Sequence, residues 1–286
     1  MGEFKRITIM GLGLMGGSMA LGLKQRGFQG EIIGWDHSLD TLEQAKSSGA
    51  VDRVCEEPRD AVKETELVIL ATPVGAYGEI LEKTASFLPK KVIVTDVGSV
   101  KGSVKRVMDS QLPKDIVFIG GHPMAGSEKA GFAAADPDLY RKAKYFLTPG
   151  PDVEKAALDK MVGFVKALGA DPVVVDTKEH DRIVALVSHI PQLSAVLLSS
   201  MLEGEEVRGY SSFAAGGFKD STRIASGDPQ MWKDIFLLNK KEVLSGIETL
   251  EGLLMEFKTH LEEGNEEEIL SRLKRAKAIR DGISQG

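Results

Sequence analysis

The sequence predicts an α/β chain in which a mainly parallel sheet domain is followed by an all-helical one. Three observations predict it. Short β-branched runs alternate with amphipathic stretches through the first 176 residues, most of those runs are continuously apolar, and after Thr177 they stop. Continuous apolar runs suit strands covered on both faces, and alternation with helices suits right-handed crossovers between parallel neighbours.

Taken in order, strands are expected at residues 6–10, 31–36, 67–71, 91–96, 116–120, 145–148 and 172–176. Amphipathic helices fall between them, for instance at 41–48, 77–88 and 153–168. Gly27, Gly49 and Gly169 stand where helices should stop. Beyond the boundary near Asp176, residues 179–202 read as a long apolar helix interrupted at Pro191, and 213–225 as a further helical stretch. Asp228-Pro229 supplies an N-cap and a first-turn proline for a long helix. Asn265 with Glu268 signals a capping box for the last helix. Val243, Ile247, Leu250, Leu254 and Phe257 form an apolar stripe, read here as a contact with another subunit rather than a buried core. The expected domains are residues 1–176 and 177–286.

Composition narrows the function. The 286 residues carry 36 Lys+Arg against 42 Asp+Glu, a net charge of −6, which gives no electrostatic footing for nucleic acid. A single cysteine, Cys55, excludes an internal disulfide and a cysteine-based zinc cluster; no metal site is expected. No uninterrupted apolar run approaches a membrane span and no signal-peptide pattern opens the chain. The expectation is a soluble, reduced, cytoplasmic protein.

Gly11-Leu12-Gly13-Leu14-Met15-Gly16 follows the first strand and opens a helix. Gly11 permits the tight turn, Gly13 lets a pyrophosphate approach the backbone, and Gly16 allows close helix–strand packing. Helix-start amides at Leu14 and Met15 face the anion. Twenty residues past Gly16, Asp36 ends the second strand, where a carboxylate accepts ribose hydroxyls. This is a Rossmann-type dinucleotide site. A carboxylate repels a 2′-phosphate, and His37 and Ser38 supply no arginine, so NAD is expected over NADP. His37 reads as a solvated loop residue.

Ligands of open α/β sheets sit beyond the carboxyl ends of the strands. There the chain offers Thr72-Pro73, placed to cover the nicotinamide side, then 96–101 and 121–128. His122, between glycine and proline at a strand end, is the catalytic candidate, because imidazole takes a proton near neutrality. Ser99 either hydrogen-bonds the same substrate hydroxyl or caps the helix after Gly98. Lys101 reads as a solvated helix-start cation. His189, before Pro191 in an apolar segment, is either a core histidine bonded to the carbonyl that proline frees or a ligand. Asp220 and Arg223 share a helix face, as an ion pair or with the guanidinium forked onto a carboxylate. His180 and His260 read as exposed helix residues, and Trp232 as packing.

Taken together, G-L-G-L-M-G-G-S at 11–18, D-V-G-S-V-K at 96–101, G-H-P-M-A-G-S-E at 121–128, S-H-I-P-Q at 188–192 and K-D-S-T-R-I-A at 219–225 resemble the prephenate/arogenate dehydrogenase family over almost the whole chain. The resemblance implies NAD-dependent oxidative decarboxylation of prephenate to 4-hydroxyphenylpyruvate in tyrosine biosynthesis, or the arogenate or dual-specificity equivalent. It implies His122 as base and Ser99 as the group orienting base and ring hydroxyl. Arg223 would bind the ring carboxylate and His189 the side chain. Ser127 would line the substrate site, Glu128 and Asp220 would join an ionic network at its entrance, and Trp232 would come from a dimer partner. A homodimer through the helical domain is implied. Residues 187–194 carry no carboxylate to meet arogenate's ammonium, which leans toward prephenate. The rivals are a β-hydroxyacid dehydrogenase, which leaves the His-Pro loop unexplained, and a catalytically silent NAD sensor. The chain is expected to hold neither a fused mutase nor a regulatory domain.

Overall fold

The structure is a computed structural model describing residues 4–127 and 129–283. Its centre is one eight-stranded sheet with strand order β3-β2-β1-β4-β5-β6-β7-β8. The strands are β1 (Arg6–Met10), β2 (Glu31–Trp35), β3 (Arg53–Val54), β4 (Leu67–Leu70), β5 (Ile93–Asp96), β6 (Val117–Pro123), β7 (Lys144–Pro149) and β8 (Asp171–Val174). Every neighbouring pair is parallel except β6 and β7, which run antiparallel.

The apolar runs explain the layering. Ile7 and Ile9 of β1 belong to one buried cluster with Met19, Leu23 and Phe164, whereas Met10 joins another with Val68, Tyr77 and Val104. Side chains alternate across a strand, so one short run feeds both cores. At roughly 1.5–3 kcal/mol per fully buried large apolar side chain, this two-faced burial dominates the strands' stability.

All seven expected strands form, with two differences. The two-residue β3 was not anticipated; half exposed and only two residues long, it leaves almost no apolar run to read. Strand β6 continues past residue 120, because its antiparallel partner supplies pairing at Gly121↔Leu147, His122↔Phe146 and Pro123↔Tyr145. His122 therefore sits in the ladder and not in the loop after it.

Gly27, Gly49 and Gly169 end their helices with φ of 78°, 75° and 79°, the left-handed stop glycine adopts without strain. After β8, Asp176 caps a helix earlier than expected, accepting from the amides of Lys178 and Glu179. The helix runs as Thr177–Val184, a widened π turn at Ala185–His189, then Ile190–Ser200. The interruption falls just before Pro191, where the missing N–H and the ring disturb the preceding turn. Thr177–Ser200 is also long and apolar enough, by length and composition, to cross a membrane. Here it carries buried His180, Asp181, His189 and Gln192.

Asp228 caps through Met231 N with Pro229 in the first turn, as expected. The expected single long helix is instead two, Pro229–Leu238 and Lys240–Glu262, because Asn239 leaves helical geometry at φ −107°, ψ 27°. The chain divides into two compact units, one through Asn239 and one from Lys240. The change from strands to helices at Asp176 lies inside the first. In the second, Lys240–Glu262 packs on Glu266–Ile283, with Asn265 accepting from Glu268 N at 3.2 Å and Arg272 paired to Glu256.

Candidate active site

The glycine turn shows its three separate constraints. Gly11 has φ +99°, and a Cβ there would lie 2.8 Å from the Ala71 carbonyl and from Thr72. A Cβ on Gly16 would meet the Gly11 oxygen at 1.9 Å and Ile9 at 2.9 Å, so helix and strand touch only because it is glycine. A Cβ on Gly13 would meet nothing within 4 Å, leaving backbone open on that side. Leu14 and Met15 begin the helix Leu14–Gln25 behind it, and both are part-buried.

Asp36 closes the turn from β2. One of its carboxylate oxygens accepts from Leu12 N at 2.8 Å and the other from Ser38 N at 3.0 Å. The first, Oδ2, keeps a further lone pair for a ligand hydroxyl, while the second, Oδ1, also lies 3.0 Å from His37 Nδ1. Thr72 lies against Gly11, and its Oγ1 is buried with no partner among the described residues. Open backbone, an anchored acceptor and an orphaned hydroxyl together fit a dinucleotide. His37, 88% exposed, is the solvated residue expected.

The segment after β5 is built differently from expectation. Lys101 is not solvated; it is 1% exposed and bonds Asp96, 0% exposed, through Nζ at 2.5 Å. Its aliphatic stem passes over the glycine-rich β6, so a Cβ on Gly120 would come within 2.9 Å of it. Asp96 also accepts from Gly98 N (2.9 Å), Gly121 N (3.1 Å) and the Tyr77 hydroxyl (3.4 Å). Burial lowers the pKa of the Lys101 ammonium, opposed by Asp96 and Asp181. The half-buried Ser99 lies on the loop this pair holds. It does not cap the next helix, whose amides at Lys101 and Gly102 are taken by Asp181 at 2.7 and 2.8 Å.

His122 is 8% exposed, and its Nδ1 lies 2.8 Å from Nε2 of His180. Nδ1 of His180 lies 2.9 Å from Oδ1 of Asp181. His180 is thus a correction: it is fully buried rather than exposed, because it faces the sheet one turn before buried Val184. Phe146 packs edge-on against it, with centroids 5.2 Å apart. Burial holds His122 well below its ordinary pKa, reinforced by His180, Lys101 and His189; burial also lowers His180, against the pull of Asp181. Burial works to raise the Asp181 pKa, but hydrogen bonds from His180 and the two amides outweigh it and keep it low.

His189 is fully buried in the π turn, with its pKa lowered by burial to about 4. It does not rely on a carbonyl freed by Pro191: its Nδ1 meets Asn239 Nδ2 at 3.2 Å, and that same nitrogen donates to the Asp181 carbonyl at 2.9 Å. Its Nε2 is buried without a partner among the described residues. Trp232 stands against His189 of its own chain, centroids 6.1 Å apart. Arg223 and Asp220 are exposed, Arg223 at the turn where Gly216–Thr222 passes into Arg223–Ser226. Pro73 and Ser127 are exposed, the latter accepting from Lys129 N at 3.1 Å. Glu128 lies outside the described residues. His260 is half-buried rather than exposed, 3.8 Å from Glu256 one turn earlier.

The structure therefore gathers His122, His180, Asp181, Lys101, Asp96, Asn239 and His189 into one buried polar system. Sequence reasoning found His122 and His189. The available signal for His180 was its four-residue spacing from Val184 on an otherwise apolar helix face.

Two family models match the chain: the nucleotide-binding domain of prephenate dehydrogenase over residues 19–174, and the dimerization domain of prephenate dehydrogenase over residues 176–275. The chain is 38% identical to the prephenate dehydrogenase of Bacillus subtilis (strain 168), over 97% of its own length and 76% of that protein's. It is similar to the crystal structure of prephenate dehydrogenase from A. aeolicus in complex with hydroxyphenyl propionate and NAD+, with TM-score 0.90, 35% identity and 98% of each chain covered. The structure of Synechocystis arogenate dehydrogenase is also similar, with TM-score 0.85, 27% identity, and 97% of this chain and 99% of that one covered. With both halves matched and the similarity running nearly end to end, the chain belongs to the prephenate dehydrogenase family.

Proposed function

We propose that this chain oxidises and decarboxylates prephenate with NAD, releasing 4-hydroxyphenylpyruvate. The observation that carries the reading is His122: a neutral, buried imidazole at the carboxyl end of the sheet, on the same edge as the glycine turn. Burial keeps its proton off at neutral pH, so it is ready to accept one. Asp36 anchors the turn and favours NAD, since its charge repels a 2′-phosphate.

When bound, the nicotinamide supplies the hydride acceptor. His122 draws the proton from the ring hydroxyl as the hydride leaves the same carbon. The carbonyl that forms takes up the electron pair of the departing carboxylate, and the ring becomes aromatic. His122 then returns its proton to the phenolic oxygen. Aromatisation supplies the driving force, so the protein's work is positioning and one reversible proton transfer.

Ser99 orients the hydroxyl, Arg223 forks onto the ring carboxylate, and His189 meets the side chain. Ser127, Glu128 and Asp220 shape the entrance, and Trp232 stands beside His189. Residues 187–194 hold no carboxylate for an ammonium, which supports prephenate over arogenate. Residues 1–176 serve as the nucleotide domain, and 177–286 as the substrate and dimerisation domain of a homodimer. The match of a dimerization model to 176–275 supports this, as do exposed Leu186, Val187, Leu197 and Met201 on Thr177–Ser200 and its cap. The buried single Cys55 suits a reducing cytoplasm.

The test is NADH absorbance after adding prephenate or arogenate with NAD or NADP. Prephenate with NAD should give the fastest signal, and His122→Asn should lower turnover by about 10²–10⁴-fold with NAD binding intact. Measurable NAD binding with no NADH from either substrate would overturn the reading in favour of a sensor.

A further inference from the structure

His180 and Asp181 complete a hydrogen-bonded path that begins at His122 and ends on backbone. Asp181 accepts the amides of Lys101 and Gly102 at 2.7 and 2.8 Å and meets Nδ1 of His180 at 2.9 Å. A carboxylate only accepts, so that Nδ1 carries the proton. His180 Nε2 then holds a lone pair, and Nδ1 of His122, 2.8 Å away, must donate to it. This leaves the lone pair of His122 on Nε2, the nitrogen with no partner among the described residues that it would have to share.

We propose that His180 and Asp181 are positioning residues that fix His122 as the Nδ1–H tautomer and carry the proton it acquires one ring deeper into the protein. The proposal rests on the prephenate reading for its substrate, although the tautomer does not. As the hydroxyl O–H bond breaks, its proton binds His122 Nε2 and the Nδ1 proton passes to His180 Nε2. The positive charge then lies on His180 beside the Asp181 carboxylate. When carbon dioxide leaves, its bonding pair enters the ring and the oxygen becomes a phenolate. That oxygen takes the proton back from His122 Nε2, and the path reverses. Protons balance, and the only electrons leaving are those of the hydride.

The surroundings favour this arrangement. The charged groups facing the two rings are Asp181, the Lys101 ammonium and its partner Asp96, with His189 as a further titratable group. Phe146 screens His180 from water. Without a second ring, an imidazolium at His122 would be buried beside Lys101 with no carboxylate in contact; one ring further on, it meets one.

Two variants separate this role from mere support of the helix Gly102–Gln111. Asp181→Asn, with its NH2 toward His180, keeps an oxygen for the Gly102 amide, gives up the Lys101 amide and offers an N–H to His180, which reverses both tautomers. His180→Gln keeps an acceptor for His122 Nδ1–H but cannot carry a proton. Nitrogen-15 NMR of the imidazoles reads the tautomers directly in the protein without substrate, and kcat, KM and the pH profile are measured with prephenate. The wild type should show His122 protonated on Nδ1. Asp181→Asn should move that proton to Nε2 and lower kcat by about 10³–10⁴-fold, as tautomer inversion does in a serine-protease triad, with KM within about threefold. His180→Gln should keep the tautomer and lower kcat about 10-fold or more, with the acidic limb of kcat displaced from that of the wild type, because a single ring replaces the coupled pair. A wild-type His122 protonated on Nε2, or both variants matching wild type in kcat and pH profile, would overturn the proposal. A protein with the stated tautomer but no activity on prephenate would refute the functional reading alone.

Discussion

Replacing Lys101 with methionine tests whether the loop bearing Ser99 is held by a buried ion pair. The ammonium and the Asp96 carboxylate are 2.5 Å apart and 1% and 0% exposed. Methionine fills similar volume without charge, so Asp96 stays buried with three neutral donors: Gly98 N, Gly121 N and the Tyr77 hydroxyl. Removing one partner of a buried pair costs roughly 3–5 kcal/mol, because the other charge is left uncompensated. The three remaining donors place Lys101→Met near the lower end, about 3 kcal/mol. The double variant Asp96→Asn/Lys101→Met carries no stranded charge and should recover at least about 1 kcal/mol of that loss. Equilibrium urea denaturation of the wild type, both single variants and the double variant at neutral pH measures the cycle. A cost below about 1 kcal/mol for Lys101→Met, or costs that simply add in the double variant, would refute the reasoning.

Three further outcomes follow from the geometry. Gly16→Ala should destabilise the fold by about 1–3 kcal/mol and weaken NAD binding, since its Cβ would lie 1.9 Å from the Gly11 oxygen, whereas Gly13→Ala, with no atom within 4 Å, should weaken NAD binding alone; denaturation and calorimetric titration compare them. His189 takes a proton near 6.5 when unfolded but only near about 4 when folded. Its neutral-form stability is therefore intact above pH 6.5 and lost as pH falls toward about 4, by about 3 kcal/mol at ~1.4 kcal/mol per pH unit. His122 and His180, lowered in the same direction, add to the loss, and a denaturation midpoint unchanged from pH 7 to 4 would contradict this. Arg223→Ala should raise KM for prephenate at least tenfold with a smaller change in kcat, and steady-state kinetics showing an unchanged KM would remove Arg223 from carboxylate binding.

The parts of this molecule that were legible in sequence are those whose physics is local. Continuous apolar runs announced the sheet, three glycines announced helix ends, and Gly11, Gly13 and Gly16 announced the nucleotide turn because their spacing between a strand and a helix is itself a local pattern. Lys101 and His180 were misread for the opposite reason. Both look solvated at helix starts, and what buries them lies on other elements: Asp96, five residues back on β5, with the floor of β6 for the first, and the distant His122 and Phe146 for the second. The break at Asn239 was hidden for the same reason, since its amide is occupied by Asp181 and His189, more than 45 residues away. Charge and polarity in a window of sequence say where a group would prefer to be; only tertiary contacts say which groups have been given partners indoors.

Asp181 does two jobs with one side chain, tying down the amides that open Gly102–Gln111 and receiving His180. The turn from Gly11 to Thr72 is built without the helix Thr177–Val184, whereas the hydrogen-bonded surroundings of His122 are not. Exchanging positions 180 and 181 alone would therefore leave the turn at Gly11 standing while unseating the base, so the helical half governs the chemistry of a side chain that the sheet carries.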